Sequence, residues 1–136
     1  LVDPVSALRN AAQLLKPGGV MFVEVPNNDS AISTQSGLSW EHMDVPRHIN
    51  FFTEGTLQAT AERAGLNVEG SFFCEYCRYF TDDYIALEQR IFDHLGGAGP
   101  ALRNSSARSW RLLLKTAWAA PRIKYDCVGV VAVKTA

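Results

Sequence analysis

An α/β fold, with helices alternating with short strands, is what this sequence predicts, and three observations carry the prediction. Val20 to Val25 is a nearly unbroken apolar run rich in β-branched residues, the pattern of a strand covered on both faces as in a parallel sheet. Ahead of it, Val5, Leu8, Ala12 and Leu15 recur at helical spacing, and Pro17-Gly18-Gly19 separates the two segments. Beyond it, helical and apolar segments keep alternating to the end of the 136-residue chain, a length that suits one domain with a real core.

Taken in order, Asp3-Pro4 opens the first helix, because Asp can cap free amides and proline at the first helical position loses no hydrogen bond. Lys16 complements the negative end of that helix. Pro26 closes the strand, in which Glu24 is the one charged residue; it needs a partner if buried, or else lies near the strand's exposed end. Asn27 to Asn50 lacks a sustained period and reads as a long loop over the carboxyl end of the strand. Loops of that length within compact domains are commonly functional. Thr53 caps a helix running to about Ala64, with Leu57, Ala61 and Ala64 inward and Gly65 as its stop. Leu66 to Tyr76 reads as a strand. Thr81 to Leu95 reads as a helix with Tyr84, Leu87, Ile91 and Leu95 on one face, and Gly96 to Pro100 breaks it. Ser109 to Ala119 forms another helix ended by Pro121, and Tyr125 to Val133 is the last strand.

Composition narrows the function classes. A net charge of −1 gives no general bias toward nucleic acid or membrane, so neither is expected as a partner. The charges are uneven, however: thirteen of the fourteen acids lie at or before Asp93, and His94 to Tyr125 holds six Lys or Arg and no acid. That segment is either a solvated helix face or a surface for an anionic ligand. No signal peptide or membrane-spanning run is visible. Three cysteines are too few for a disulfide scaffold, which points to the cytoplasm.

The succession helix, Leu15-Lys16-Pro17-Gly18-Gly19, apolar strand, Pro26-Asn27 is followed by Trp40-x-His42-x-Asp44-x-Pro46-Arg47-His48, then Phe51-Phe52-Thr53 and a helix closing in Arg63-Ala64-Gly65-Leu66. On these residues the chain resembles the carboxyl-terminal half of class I S-adenosylmethionine-dependent methyltransferases, and is similar to the ubiquinone-biosynthesis and related small-molecule group. The resemblance implies a partial Rossmann-like fold containing the last three strands of a seven-stranded sheet. The seventh strand would run antiparallel between the fifth and sixth, with a helical insertion at about 77–124. It implies that residues 1–136 are the carboxyl-terminal part of a methyltransferase domain. The family's cofactor cradle lies in its first two strands, as a glycine-rich turn and an acid, and nothing here matches either. Cofactor-binding residues are therefore unassigned. S-adenosylmethionine is the cofactor expected of the parent enzyme, not of this chain alone.

Within that frame the candidate catalytic residues are His48 and His42, since a methyl acceptor must surrender a proton and imidazole titrates near neutrality. His48 has the alternative of a hydrogen bond that merely holds the loop. Arg47 would bind an acidic substrate group or else pair with Asp44. Trp40, Phe51 and Phe52 would line an acceptor pocket or belong to the core, and Asn27 could reach cofactor or substrate. Cys74-x-x-Cys77 lacks two further ligands at metal-site spacing, so no metal is expected. The predicted function is a small-molecule methyltransferase fragment. The alternative is a non-catalytic binding or oligomerisation module. Without a fourth strand beside it, the edge of Val20–Val25 would be covered by a second copy or by a rearranged amino end.

Overall fold

A computed structural model describes residues 1–76 and 81–135. Three strands, β1 (Val20–Pro26), β2 (Leu66–Cys74) and β3 (Cys127–Lys134), form one sheet in the order β1-β3-β2. β3 runs antiparallel to both neighbours, pairing Val20 with Val133 and Val25 with Val128 on one side, and Phe73 with Val128 on the other. β1 and β2 therefore point the same way. This is the arrangement expected for the last three strands of the methyltransferase sheet. No described helix is long and apolar enough to cross a membrane.

Two helices cover one face. α1 (Pro4–Gln13) starts at Asp3, whose carboxylate accepts the Ser6 amide at 3.0 Å. α3 (Glu54–Arg63) starts at Thr53, where Thr53 and Thr56 exchange side-chain and backbone bonds in a capping box. Leu57 and Ala61 drive α3 onto β2 and β3, burying Leu66, Val128, Val130 and Ala132 with Ala12 of α1. Gly65 ends α3 at a positive φ of 87°, a conformation that glycine adopts without steric cost.

Several expectations need correction. β1 is not covered on both faces: burial alternates along it, and Val20, Phe22 and Glu24 face outward, with Phe22 70% exposed. Both described helices that pack on the sheet lie on the other side, and on the second face the ring of Phe72 lies 6.5 Å from that of Phe22. The amino end does not rearrange onto the β1 edge but folds as α1; along β1 the described pairing is with β3, and Asn27 adds one parallel bridge to Phe52. The 27–50 loop contains a short helix, α2 (Ala31–Ser36), and a 3-10 turn at Gly37–Ser39. Ser30 caps α2 by accepting the Ser33 amide, a local signal that short periodicity obscured.

The segment between β2 and β3 is helical, as expected, and its helices have limits that differ in part from those read in the sequence. α4 (Asp82–His94) matches its predicted span, yet its fully buried residue is Glu88, and Leu95 of the proposed apolar face is exposed. α5 (Ser106–Thr116) begins three residues earlier than read. Pro121 opens a short turn, α6 (Pro121–Lys124), instead of ending a helix, since its fixed φ suits a first helical position. β2 stops at Cys74 and β3 runs one residue further, to Lys134. α5 and α2 enclose a second small core of Ala31, Ile32, Trp40 and Leu112.

Candidate functional site

A cleft of about 240 Å³ opens at the carboxyl end of β1, walled by Val25, Pro26, Ile49 and Phe52, with Arg47 and His48 at its polar side. The turn that presents them is closed by backbone: the amides of Arg47 and His48 both donate to the Asp44 carbonyl, at 2.8 and 3.2 Å. This tight turn, which contains a cis Val45–Pro46 peptide bond, brings positions 44, 47 and 48 together, and their side chains meet. His48 Nδ1 lies 2.6 Å from one Asp44 oxygen, and the Arg47 guanidinium 3.2 Å from the other. With Asp44 accepting from Nδ1, the neutral imidazole carries its lone pair on Nε2. That is the arrangement of a carboxylate-oriented general base. Arg47 is largely exposed, so its pair with Asp44 contributes about 0–1 kcal/mol and leaves it able to exchange partners.

The other candidates fall around this cleft instead of within it. His42 stands edge-on between Trp40 and His48, with ring centroids 5.0 and 5.4 Å away. Trp40 is fully buried in the second core. Asn27 is also fully buried, donating to the carbonyls of Arg122 and Tyr125 and accepting the Asp29 amide. It ties the end of β1 to the approach to β3. Phe51 is half-buried outside the cleft lining, and its neighbour Phe52 supplies the wall.

Sequence reasoning missed the Asp44–His48 pair, although the i, i+4 spacing was visible. It also missed a buried ionic cluster. Arg103, fully buried, donates from Nε to Glu88 at 2.8 Å and forks from both terminal nitrogens onto the buried carboxylate of Glu41. Ser36 donates to Glu88 from α2 at 2.8 Å. Burial outweighs the attraction of Arg103 and holds the Glu41 carboxyl above the usual range. This cluster pins the 40s loop, and so the residues beside His42, to the insertion. No spacing rule signals it, since 62 residues separate Glu41 from Arg103.

Two more clefts, of about 300 and 310 Å³, lie against the insertion and hold no histidine. Near the outer face, ligand atoms of Glu24, Cys74 and Glu75 lie within 4.8 Å of one another. Burial, then a hydrogen bond to Glu24, pushes the Cys74 thiol up to about 12. Cys77, the second cysteine of that motif, lies outside the described residues.

Comparison with known proteins adds the family. A model described as a methyltransferase domain matches residues 1–70. No curated protein matches. Among solved structures, one assigned as a sarcosine dimethylglycine methyltransferase from Galdieria sulphuraria aligns with 98% of this chain at 16% identity and a TM-score of 0.48. The alignment covers 48% of that protein, so the chain spans about half its length.

Proposed function

The chain belongs to the methyltransferase-domain family, and on that premise we propose that it forms the acceptor-side, carboxyl-terminal part of a methyltransferase acting on a small molecule. The observation that carries this reading is the Asp44–His48 pair at the rim of an apolar cleft, where a strand of an open α/β sheet ends. His48 takes the proton of the acceptor's hydroxyl or amine through Nε2, and Asp44 stabilises the resulting imidazolium. Arg47, with one exposed guanidinium edge, holds an acidic group of the acceptor. Val25, Pro26 and Phe52 exclude water from the reacting centre. His42 and Trp40 set the position of the His48 ring by packing. Asn27 and Phe51 serve the acceptor indirectly, through the shape of the loop.

S-adenosylmethionine, the methyl donor of this family, does not fit the residues in hand. A cofactor cradle calls for a glycine turn between strand and helix. The β1–α2 connection, Asn27 to Ser30, has no glycine, and neither does the chain from Glu75 to Thr81. Gly96 to Gly99 joins two helices. The donor would therefore be held by the other half of the domain, packed on the outward face of β1, where an exposed Phe side chain forgoes about 1.5–3 kcal/mol of burial. The same face and the β1 edge support the second reading, a module that binds another chain or a second copy of itself.

Two measurements test the proposal. Calorimetric titration of the 136-residue chain with S-adenosylmethionine should show no saturable binding; micromolar affinity would refute the missing-cradle claim. The coding sequence upstream of Leu1 should encode a glycine-rich strand–turn–helix with an acid about twenty residues later. Its absence from the gene would leave the binding-module reading in its place.

A further inference from the structure

The acid-free stretch noted in the sequence becomes a surface with two parallel stripes once α5 is in place. Leu112 and Thr116 turn inward, and this sets the opposite side of the helix toward solvent. There Trp110 and Leu114, at i and i+4, are 65 and 63% exposed, and Trp118, in the turn two residues past the helix, is 90% exposed. Beside them Arg108, Arg111 and Lys115 recur at i, i+3 and i+7 and form a cationic flank, continued by Arg122 just past the helix. Two largely exposed indoles next to a row of cations is an unusual surface for a protein with a net charge near zero.

We propose that this face of α5, with the turn that follows it, docks on an anionic phospholipid bilayer, with Trp110, Leu114 and Trp118 seated at the headgroup–acyl boundary and Arg111 and Lys115 on lipid phosphates. Tryptophan suits that boundary because its ring is apolar and its N–H remains hydrogen-bonded. A short helix with Trp and Leu on one side and Lys or Arg beside them lies in the interface plane and does not span it. Charge complementarity selects this occupant. A second copy meeting the same face would bring two cationic flanks together with no acid between His94 and Tyr125 to offset them. The expectation of no membrane partner rested on net charge, which averages this stripe against acids located elsewhere. The inference does not depend on methyl transfer.

The test uses the 136-residue chain and vesicles of phosphatidylcholine with or without phosphatidylglycerol. Co-sedimentation should be restricted to the anionic vesicles, with a blue shift of tryptophan emission and quenching by brominated acyl chains. Trp40, buried in the core, should be unaffected. Replacing Arg111 and Lys115 by Gln should weaken binding about fivefold for each charge removed. Trp118→Ser, at the most exposed position, should weaken it by roughly tenfold, with the circular dichroism spectrum unchanged. The lipid-quenching arm needs no variant and so stands even if a substitution unfolds the chain. Unshifted emission with anionic vesicles overturns the proposal, as does binding that survives Trp118→Ser and disappears in salt. A concentration-dependent dimer abolished by Trp118→Ser would assign the face to a second copy instead.

Discussion

Replacing Arg103 by Leu should destabilise the chain more than any surface change, and in a pH-dependent way. The side chain makes one charge-assisted bond to Glu88 and a two-pronged contact with Glu41. Glu88 would keep the Ser36 hydroxyl at 2.8 Å and the backbone amide of residue 103 at 3.2 Å, so most of the loss falls on Glu41. Breaking a buried ion pair from one side costs about 3–5 kcal/mol, because a carboxylate remains buried and uncompensated. The Glu41 carboxyl is already held above its ordinary 4.5 by burial, with Arg103 opposing. Removing Arg103 raises it further. A group whose folded value is raised binds more protons in the native state than in the unfolded one, so its contribution is complete below about 4.5 and is lost as pH rises through the folded value. Urea unfolding followed by circular dichroism should therefore show a larger penalty near pH 7.5 than near pH 4.5. Replacing all three residues by apolar ones of similar volume should recover most of the loss. A penalty below about 1 kcal/mol at neutral pH, or one equal at the two pH values, would refute this account of the cluster.

Other expectations follow from single sites. Asn27→Ala leaves the carbonyls of Arg122 and Tyr125 without their side-chain donor and should cost about 1–3 kcal/mol in the same urea assay; a change within error would argue that Asn27 is held for ligand contact alone. In long-range nitrogen–proton spectra at high pH, His48 should show the Nδ1–H tautomer, and Asp44→Asn should disturb it. A wild-type Nε2–H tautomer would remove the general-base geometry. Cys74, pushed from 9.0 to about 12, should alkylate at pH 8 roughly a thousandfold more slowly than in the urea-unfolded chain, read by peptide mass spectrometry. Equal rates would show the thiol to be free of its surroundings.

How much was legible varies with the range of the interaction involved. Asp3 and Thr53 could be read as helix starts because a cap bonds to an amide three residues away. The order of strands came from the motif resemblance, and the register of β3 between β1 and β2 agrees with it. Trp40 illustrates the opposite case. An aromatic residue in a polar loop suits a pocket wall as well as a core, and only the approach of α5 decides for the core. Glu88 could not be recognised as buried while its partner lay fifteen residues off across a glycine break.

The sequence by itself determined the alternation of helices and strands, the caps, the seam at Pro17-Gly18-Gly19 and the family, because these depend on neighbours within a turn or a strand. Only the tertiary structure decided which charges are buried, which aromatics face water and which histidine acquires a carboxylate at a cleft. Burial and electrostatic pairing depend on residues brought together over tens of positions, and one-dimensional periodicity carries no term for that distance. Glu41, Glu88 and Arg103 read singly as ordinary surface charges; folded, they hold the insertion to the loop that carries the site.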